Sequence, residues 1–162
     1  MEYAPFSWQE AEKAVYSISQ KIDESGFRPD ILVGISRGGL VPSRLFSDVL
    51  NVPILYTIRI SFYSSVGVRM EEPKVTQPLS VDVSGKSILM IDDISDSGKS
   101  LELAEKYLKQ SSPPSLKTAT FHFKPDSCFR PDYFYAETSS WIVYPWEREE
   151  FERQTGRRAD EL

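Results

Sequence analysis

Apolar residues recur along this chain with two periods, and the switches between them mark out its elements. After Ser7-Trp8-Gln9-Glu10, which has capping-box spacing, Ala11, Ala14, Val15, Ile18 and Ile22 follow at helical intervals. An amphipathic helix is expected there, ending near Gly26. Pro29 prepares an extended segment, and the apolar run Ile31-Leu32-Val33-Gly34-Ile35 predicts a buried central strand. Pro42 suits the first turn of a following helix that runs to about Leu50. A β-rich run covers Val52 to Ile60, broken or begun at Pro53. From Ser61 to Ser84 the chain turns polar and loses any clean period. About 20 such residues predict a functional lid, a mobile hairpin or a disordered surface excursion, and the lid is the preferred reading.

The pattern resumes at Ser87-Ile88-Leu89-Met90-Ile91, a second buried strand. Leu101, Ala104, Tyr107 and Leu108 mark the core face of a helix that ends before Pro113. Lys117 to Phe123 alternates into a strand, and Asp132 to Glu137 reads as a shorter one. Trp141-Ile142-Val143-Tyr144-Pro145-Trp146 either plugs the core or offers a flat surface to a planar ligand; read alone, it is a core plug. From Glu147 onward Glu and Arg dominate, which predicts a solvated terminal helix with little apolar surface. Helices alternating with buried strands make this an α/β chain. No internal repeat or linker interrupts it, so residues 1–162 are expected to form one domain.

Composition and charge remove several function classes. Of the 162 residues, 40% are hydrophobic and 27% charged, as in ordinary soluble domains. No apolar run approaches the roughly 18 residues of a membrane span. Met1-Glu2-Tyr3-Ala4-Pro5 lacks a basic segment followed by an apolar core, so no secretory signal is expected. Cys128 is the only cysteine, which excludes an intramolecular disulfide and a cysteine-rich metal site, and the cytoplasm is the expected compartment. A net charge of −5 argues against nucleic acid as a partner, because such proteins normally present a basic surface.

Chemistry concentrates where the second buried strand ends, at Asp92-Asp93-Ile94-Ser95-Asp96-Ser97-Gly98-Lys99-Ser100. Ser97 to Ser100 open a helix, whose unpaired N–H groups and positive dipole end suit a phosphate. Carboxylates repel phosphate; they suit vicinal hydroxyls, a metal ion or a proton to be taken. A sugar-phosphate site accounts for both. Acids after a buried strand often mark only the chain surfacing, but here the strand, three acids and the hydroxyl-rich turn coincide. A P-loop is refused by spacing, since its first glycine would fall at Asp93. Ser36-Arg37-Gly38-Gly39 after the first strand is either a second anion site or a tight strand-to-helix turn. His122, the sole histidine, reads as a packed core residue rather than a base. Lys124 falls on the same sheet edge as Arg37 and Asp92.

The acid-rich stretch resembles the phosphoribosyl-diphosphate (PRPP) signature of type I phosphoribosyltransferases. Ser36 to Pro42, Ile60-Ser61-Phe62-Tyr63 with Arg69, Phe123-Lys124-Pro125, Arg130-Pro131-Asp132-Tyr133 and Trp141-Ile142 through Pro145-Trp146 occur in order. Together they are similar to the bacterial xanthine-guanine phosphoribosyltransferases and their archaeal relatives over roughly residues 30–147. The resemblance implies a central, mainly parallel sheet flanked by helices. It adds a mobile lid at about 61–84 and a base-binding hood at about 124–147 with the N-terminal segment. It implies a Mg²⁺-dependent glycosyltransferase of purine salvage, which moves the phosphoribosyl group of PRPP to N9 of hypoxanthine, guanine or xanthine. Asp92 and Asp93 would hold the ribose hydroxyls, with Asp93 in reach of Mg²⁺. Asp96 would be the general base or acid near N7, and Ser97, Gly98, Lys99 and Ser100 would enclose the 5′-phosphate. Arg37 and Gly38 would form the pyrophosphate loop, which in this family often carries a non-proline cis peptide. Tyr63 and Arg69 would close over pyrophosphate, with Arg69 sharing the charge of the leaving group. Lys124 would donate to the purine O6, and Trp141 and Ile142 would form the base pocket. A homo-oligomer, dimer or tetramer, is also implied. Phe62, Lys99, Val143 and Glu147 depart from the family pattern. The alternatives are a non-catalytic PRPP-sensing regulator and a phosphoribosyltransferase for adenine or a pyrimidine.

Overall fold

Ser7 closes the predicted capping box: its Oγ accepts from the Glu10 N–H at 3.2 Å, and the Glu10 carboxylate accepts from the Ser7 N–H at 2.7 Å. A cap of this kind contributes about 1 kcal/mol. In the computed structural model, which describes residues 2–63 and 72–162, it starts helix α1 (Trp8–Glu24). Strand β1 (Tyr3–Pro5) precedes that helix. Then come β2 (Ile31–Ser36), α2 (Leu40–Val49), β3 (Leu55–Tyr63), β4 (Glu72–Gln77), β5 (Ile88–Ile91) and β6 (Ile94–Ser95). Helix α3 (Lys99–Lys109), β7 (Leu116–Phe123), β8 (Tyr133–Glu137), β9 (Trp141–Val143), α4 (Arg148–Thr155) and a 3₁₀ turn (Ala159–Glu161) complete the chain.

The main sheet runs β4-β3-β2-β5-β7-β8, parallel except for β4. β5 and β6 pair with β7 in one register, Ile91 with Ala119 and Ile94 with His122, so they are a single strand interrupted at Asp92-Asp93. Successive residues of a strand point to opposite faces. Leu32, Leu89 and Ile91 therefore meet the core under α1 and α2, while Ile31, Val33, Ile88 and Met90 meet the core that includes Leu101, Ala104 and Leu108 of α3. Burial on both faces explains why β2 and β5 read as continuous apolar runs.

Four expectations change. The β-rich run starts and ends three residues later than its sequence suggests, because Val52 and Pro53 belong to the approach from α2. Within the stretch read as a lid, Glu72–Gln77 forms an antiparallel edge strand on β3, so a hairpin flanks residues 64–71. Only Val75 of β4 packs on the core, and Pro73 is tolerated because an edge strand leaves one row of amides unpaired. The terminal helix α4 is not wholly solvated: Phe151 is buried edge-on against Tyr3 at 5.0 Å.

A second, two-stranded sheet joins β1 to β9 in parallel, Tyr3 opposite Trp141 and Pro5 opposite Val143. This pairing splits the aromatic segment. Ile142, Val143 and Tyr144 go inward, whereas Trp141 stays 43% exposed and is no core plug.

Candidate active site

Parallel pairing of Val33 with Met90 and Gly34 with Ile91 brings the carboxyl ends of β2 and β5 side by side. Ligands of open α/β sheets settle at such an edge. The 36–39 turn and the 92–100 stretch meet there. A Cβ on Gly38 would stand 2.6 Å from both Asp93 carboxylate oxygens, so only glycine lets the turn approach the acid this closely. The Ser36–Arg37 peptide is cis, which places the expected non-proline cis bond at the entrance to the Arg37-Gly38 turn.

Asp92 accepts from the Asp93 N–H at 3.0 Å, and Asp93 is buried. Burial pushes both carboxyls up, Asp93 to about 6 and Asp92 well above the usual range, with the charge of Asp93 adding to the effect at Asp92. Hydrogen bonds from backbone N–H groups pull Asp93 back down. The indole of Trp146 acts in the same direction. An acid pair with no cationic partner among the described residues is ready for a cation or a set of hydroxyl donors.

After β6 the chain turns through Gly98, at φ +83°, into α3. A side chain at Gly98 would strike Ser127 and the Phe129 N–H, so the turn is pressed against the segment that follows Lys124. Asp96 and Ser97 are exposed, Lys99 and Ser100 half-buried, and the unpaired amides of the first helical turn face the same edge.

Lys124 leaves the end of β7. Its Nζ lies 2.8 Å from Asp96 Oδ1 and 5.7 Å from the centre of the Trp141 ring. The structure therefore brings Asp93, Asp96, Lys124, Trp141 and Ile142 around one cavity of about 130 Å³, which Tyr144 and Glu147 also line. A planar group with a carbonyl acceptor fits those walls: an ammonium donor, an aromatic face and an adjacent carboxylate.

The structure adds residues that the sequence did not point to. Arg37 is held by both carboxylate oxygens of Glu150 on α4, at 2.8 and 2.9 Å, although its side chain is 72% exposed. Spacing alone could not reveal a contact across 113 residues. His122 is buried as expected, with Nδ1 2.8 Å from the Tyr144 hydroxyl. Arg69 and the side chain of Tyr63 lie outside the described residues.

Glu147 is pushed up to about 7 by burial, with Asp93 and Glu150 adding to the effect and Arg37 opposing it. The folded chain thus keeps a proton on Glu147 that the unfolded chain releases near pH 4.5. Stability from this group is present below that pH and is lost as pH rises towards 7. In metal-free buffer, Glu147→Gln is expected to gain on the wild type between about pH 5 and 8, by about 1–2 kcal/mol at the upper end after allowance for partial exposure. His122, held down to about 4 by burial, acts in the opposite direction but is common to both proteins and drops out of the difference. Parallel Tm-against-pH curves for the two proteins would contradict the assignment.

The chain matches the phosphoribosyl transferase domain family over residues 6–151. It is 31% identical over 150 residues to the xanthine-guanine phosphoribosyltransferase of Cereibacter sphaeroides, covering 87% of this chain and 84% of the relative. A protein of the same name from Nitratidesulfovibrio vulgaris is 31% identical over 147 residues, with 90% and 85% covered. Among solved structures, a purine phosphoribosyltransferase from Pyrococcus horikoshii superposes with a TM-score of 0.82 at 33% identity, covering 90% of this chain and 95% of that one.

Proposed function

Given that the chain belongs to the phosphoribosyl transferase family, we propose that it is a 6-oxopurine phosphoribosyltransferase of purine salvage. The reaction joins N9 of the base to C1 of PRPP while the C1–oxygen bond to pyrophosphate breaks. The products are a nucleoside 5′-monophosphate and pyrophosphate. The carrying observation is the Lys124–Asp96 pair beside the Trp141 ring, in one cavity with Asp93.

In this reading Ser97, Gly98, Lys99 and Ser100 hold the 5′-phosphate at the α3 N-terminus, and Asp92 and Asp93 take the ribose hydroxyls. Arg37 and Gly38 receive pyrophosphate, with Tyr63 and Arg69 closing over it. Lys124 donates to O6, while Trp141 and Ile142 form the base pocket. Asp96, freed from Lys124 as the base enters, faces N7 as the general acid or base. A 6-amino group would set one donor against another, at a cost of about 1–3 kcal/mol.

Mg²⁺ fits the residues present. Among the described residues no group of three or more His, Cys, Asp or Glu side chains could hold a metal on its own. Asp92 and Asp93 offer hard oxygen donors, which suits an ion that takes one or two carboxylates and completes its shell with water and substrate oxygens. Asp93 is the proposed ligand. When bound, Mg²⁺ would offset charge developing on the leaving pyrophosphate. No helix among the described residues is long and apolar enough to cross a membrane, and a cytoplasmic setting fits the reading.

Pyrophosphate release is measured from PRPP and Mg²⁺ with hypoxanthine, guanine, xanthine and adenine in turn. Turnover is expected with the oxo bases and little with adenine. Silence with all four, while PRPP still raised the Tm, would overturn the catalytic reading in favour of a PRPP sensor. Unchanged turnover in both Asp96→Ala and Lys124→Ala would overturn the residue roles.

A further inference from the structure

The carbonyl oxygen of Asp93 is held by three donors at once. The N–H groups of Phe121 and His122 reach it from β7 at 2.9 and 3.1 Å, and the hydroxyl of Tyr144 reaches it at 3.0 Å. A carbonyl can only accept, so Tyr144 directs its single proton there. The Nδ1 of His122, 2.8 Å from the same hydroxyl oxygen, must then carry a proton and donate it. That defines a neutral imidazole protonated on Nδ1, in keeping with the burial that holds its pKa down to about 4.

Little freedom remains for these groups. Tyr144 is 2% exposed and stacks on Trp146 at 4.9 Å and 9°. Phe6 meets the rings of His122 and Tyr144 edge-on, at 4.9 and 5.6 Å. Tyr144 directly follows β9, whose first two residues, Trp141 and Ile142, form the wall of the base cavity. One rigid segment thus carries the base wall at one end and the third donor to the Asp93 peptide at the other.

We propose that Tyr144, oriented by His122, is a positioning residue that fixes the acid pair for PRPP. The proposal rests on the reading of Asp92-Asp93 as the PRPP ribose site. Tyr144 touches no reacting atom; it acts through the Asp93 backbone, whose carboxyl faces Gly38. Supporting groups of this kind hold a site to the few tenths of an ångström that its chemistry requires.

The test uses Tyr144→Phe, which keeps the ring and its stacking and removes only the hydroxyl. Loss of one hydrogen bond of this type predicts a KM for PRPP raised about fivefold. The KM for the base, read at saturating PRPP, is expected to stay within about twofold, a split that a general loss of packing would not produce. His122→Asn, whose amide nitrogen replaces Nδ1 as donor, is expected to keep the wild-type KM. His122→Leu is expected to behave like Tyr144→Phe. In an Asp93→Asn background the effect of Tyr144→Phe on PRPP binding, measured by calorimetry, is expected to shrink, because the two changes act through one group. A Tyr144→Phe protein with wild-type KM for PRPP, or equal losses for PRPP and base, would overturn the positioning role while the enzyme reading stands. A wild type that binds no PRPP would overturn both.

Discussion

Gly38→Ala is expected to lower kcat/KM by about 100-fold, the scale of loss that follows from moving a catalytic group by roughly 1 Å. The added methyl carbon would sit 2.6 Å from both oxygens of the Asp93 carboxylate and 2.7 Å from its carbon, distances that atoms do not tolerate. Either the carboxylate leaves its place at the sheet edge or the 36–39 turn lifts from it; in the proposed reading both change the geometry offered to PRPP. The fold itself should survive with a loss of about 1–3 kcal/mol, since the obstructing atoms belong to a side chain that can swing away. Gly39→Ala is the control. Its Cβ would meet the Ile91 carbonyl and the Ile35 backbone, which cannot move without breaking the sheet, so this variant should lose folding rather than turnover alone. Steady-state kinetics at saturating base and a thermal melt separate the two. A Gly38→Ala enzyme with wild-type kcat/KM would show that Asp93 and the 36–39 turn do not act as one site.

Lys124→Met is the second large effect. Methionine keeps the length and apolar stem, so contact with Trp141 persists, but the ammonium is gone. A hydrogen bond from a charged donor contributes about 1.5–3 kcal/mol, so kcat/KM with hypoxanthine should fall by about 10- to 100-fold. Adenine should lose nothing and can gain, because the like-donor conflict disappears. The ratio of the two is the measurement, and it is insensitive to how much active protein is present. Stability should hardly change: the Lys124 side chain is 22% exposed and Asp96 56%, and ion pairs open to solvent contribute about 0–1 kcal/mol. An unaltered hypoxanthine-to-adenine ratio would remove Lys124 from base recognition.

The Arg37–Glu150 pair is equally instructive. The arginine proposed to receive pyrophosphate is held by a carboxylate from the last helix. Both groups are solvent-accessible, so the contact is weak and yields readily to a more highly charged anion. Nothing in the Glu-rich tail singles out Glu150 from Glu149 or Glu152. Only the direction in which α4 leaves Trp146 and Glu147 brings that one carboxylate to Arg37.

Local and periodic features were legible in the sequence because their causes are local. The capping box at Ser7, the doubly buried runs Ile31–Ile35 and Ile88–Ile91, and the acid-rich turn to Ser100 each carry their signal within a few residues. The placing of Arg37, Asp92 and Lys124 on one edge followed as well, since parallel strands of equal direction must end on the same side of the sheet. Three things were decided only by tertiary structure. β1 has three residues and no periodicity, and it exists because β9 offers it a partner 138 residues away, Tyr3 opposite Trp141. β4 is strand because β3 continues past Ile60 and needs its edge amides paired, a demand invisible in Glu72–Gln77 itself. The three-fold grip on the Asp93 carbonyl, the contact of that carboxylate with Gly38 and the exposure of Trp141 depend on where separate segments meet. Residue types set which chemistry is available; packing sets which atoms come within 3 Å, because close approach is a property of pairs of segments and not of either one.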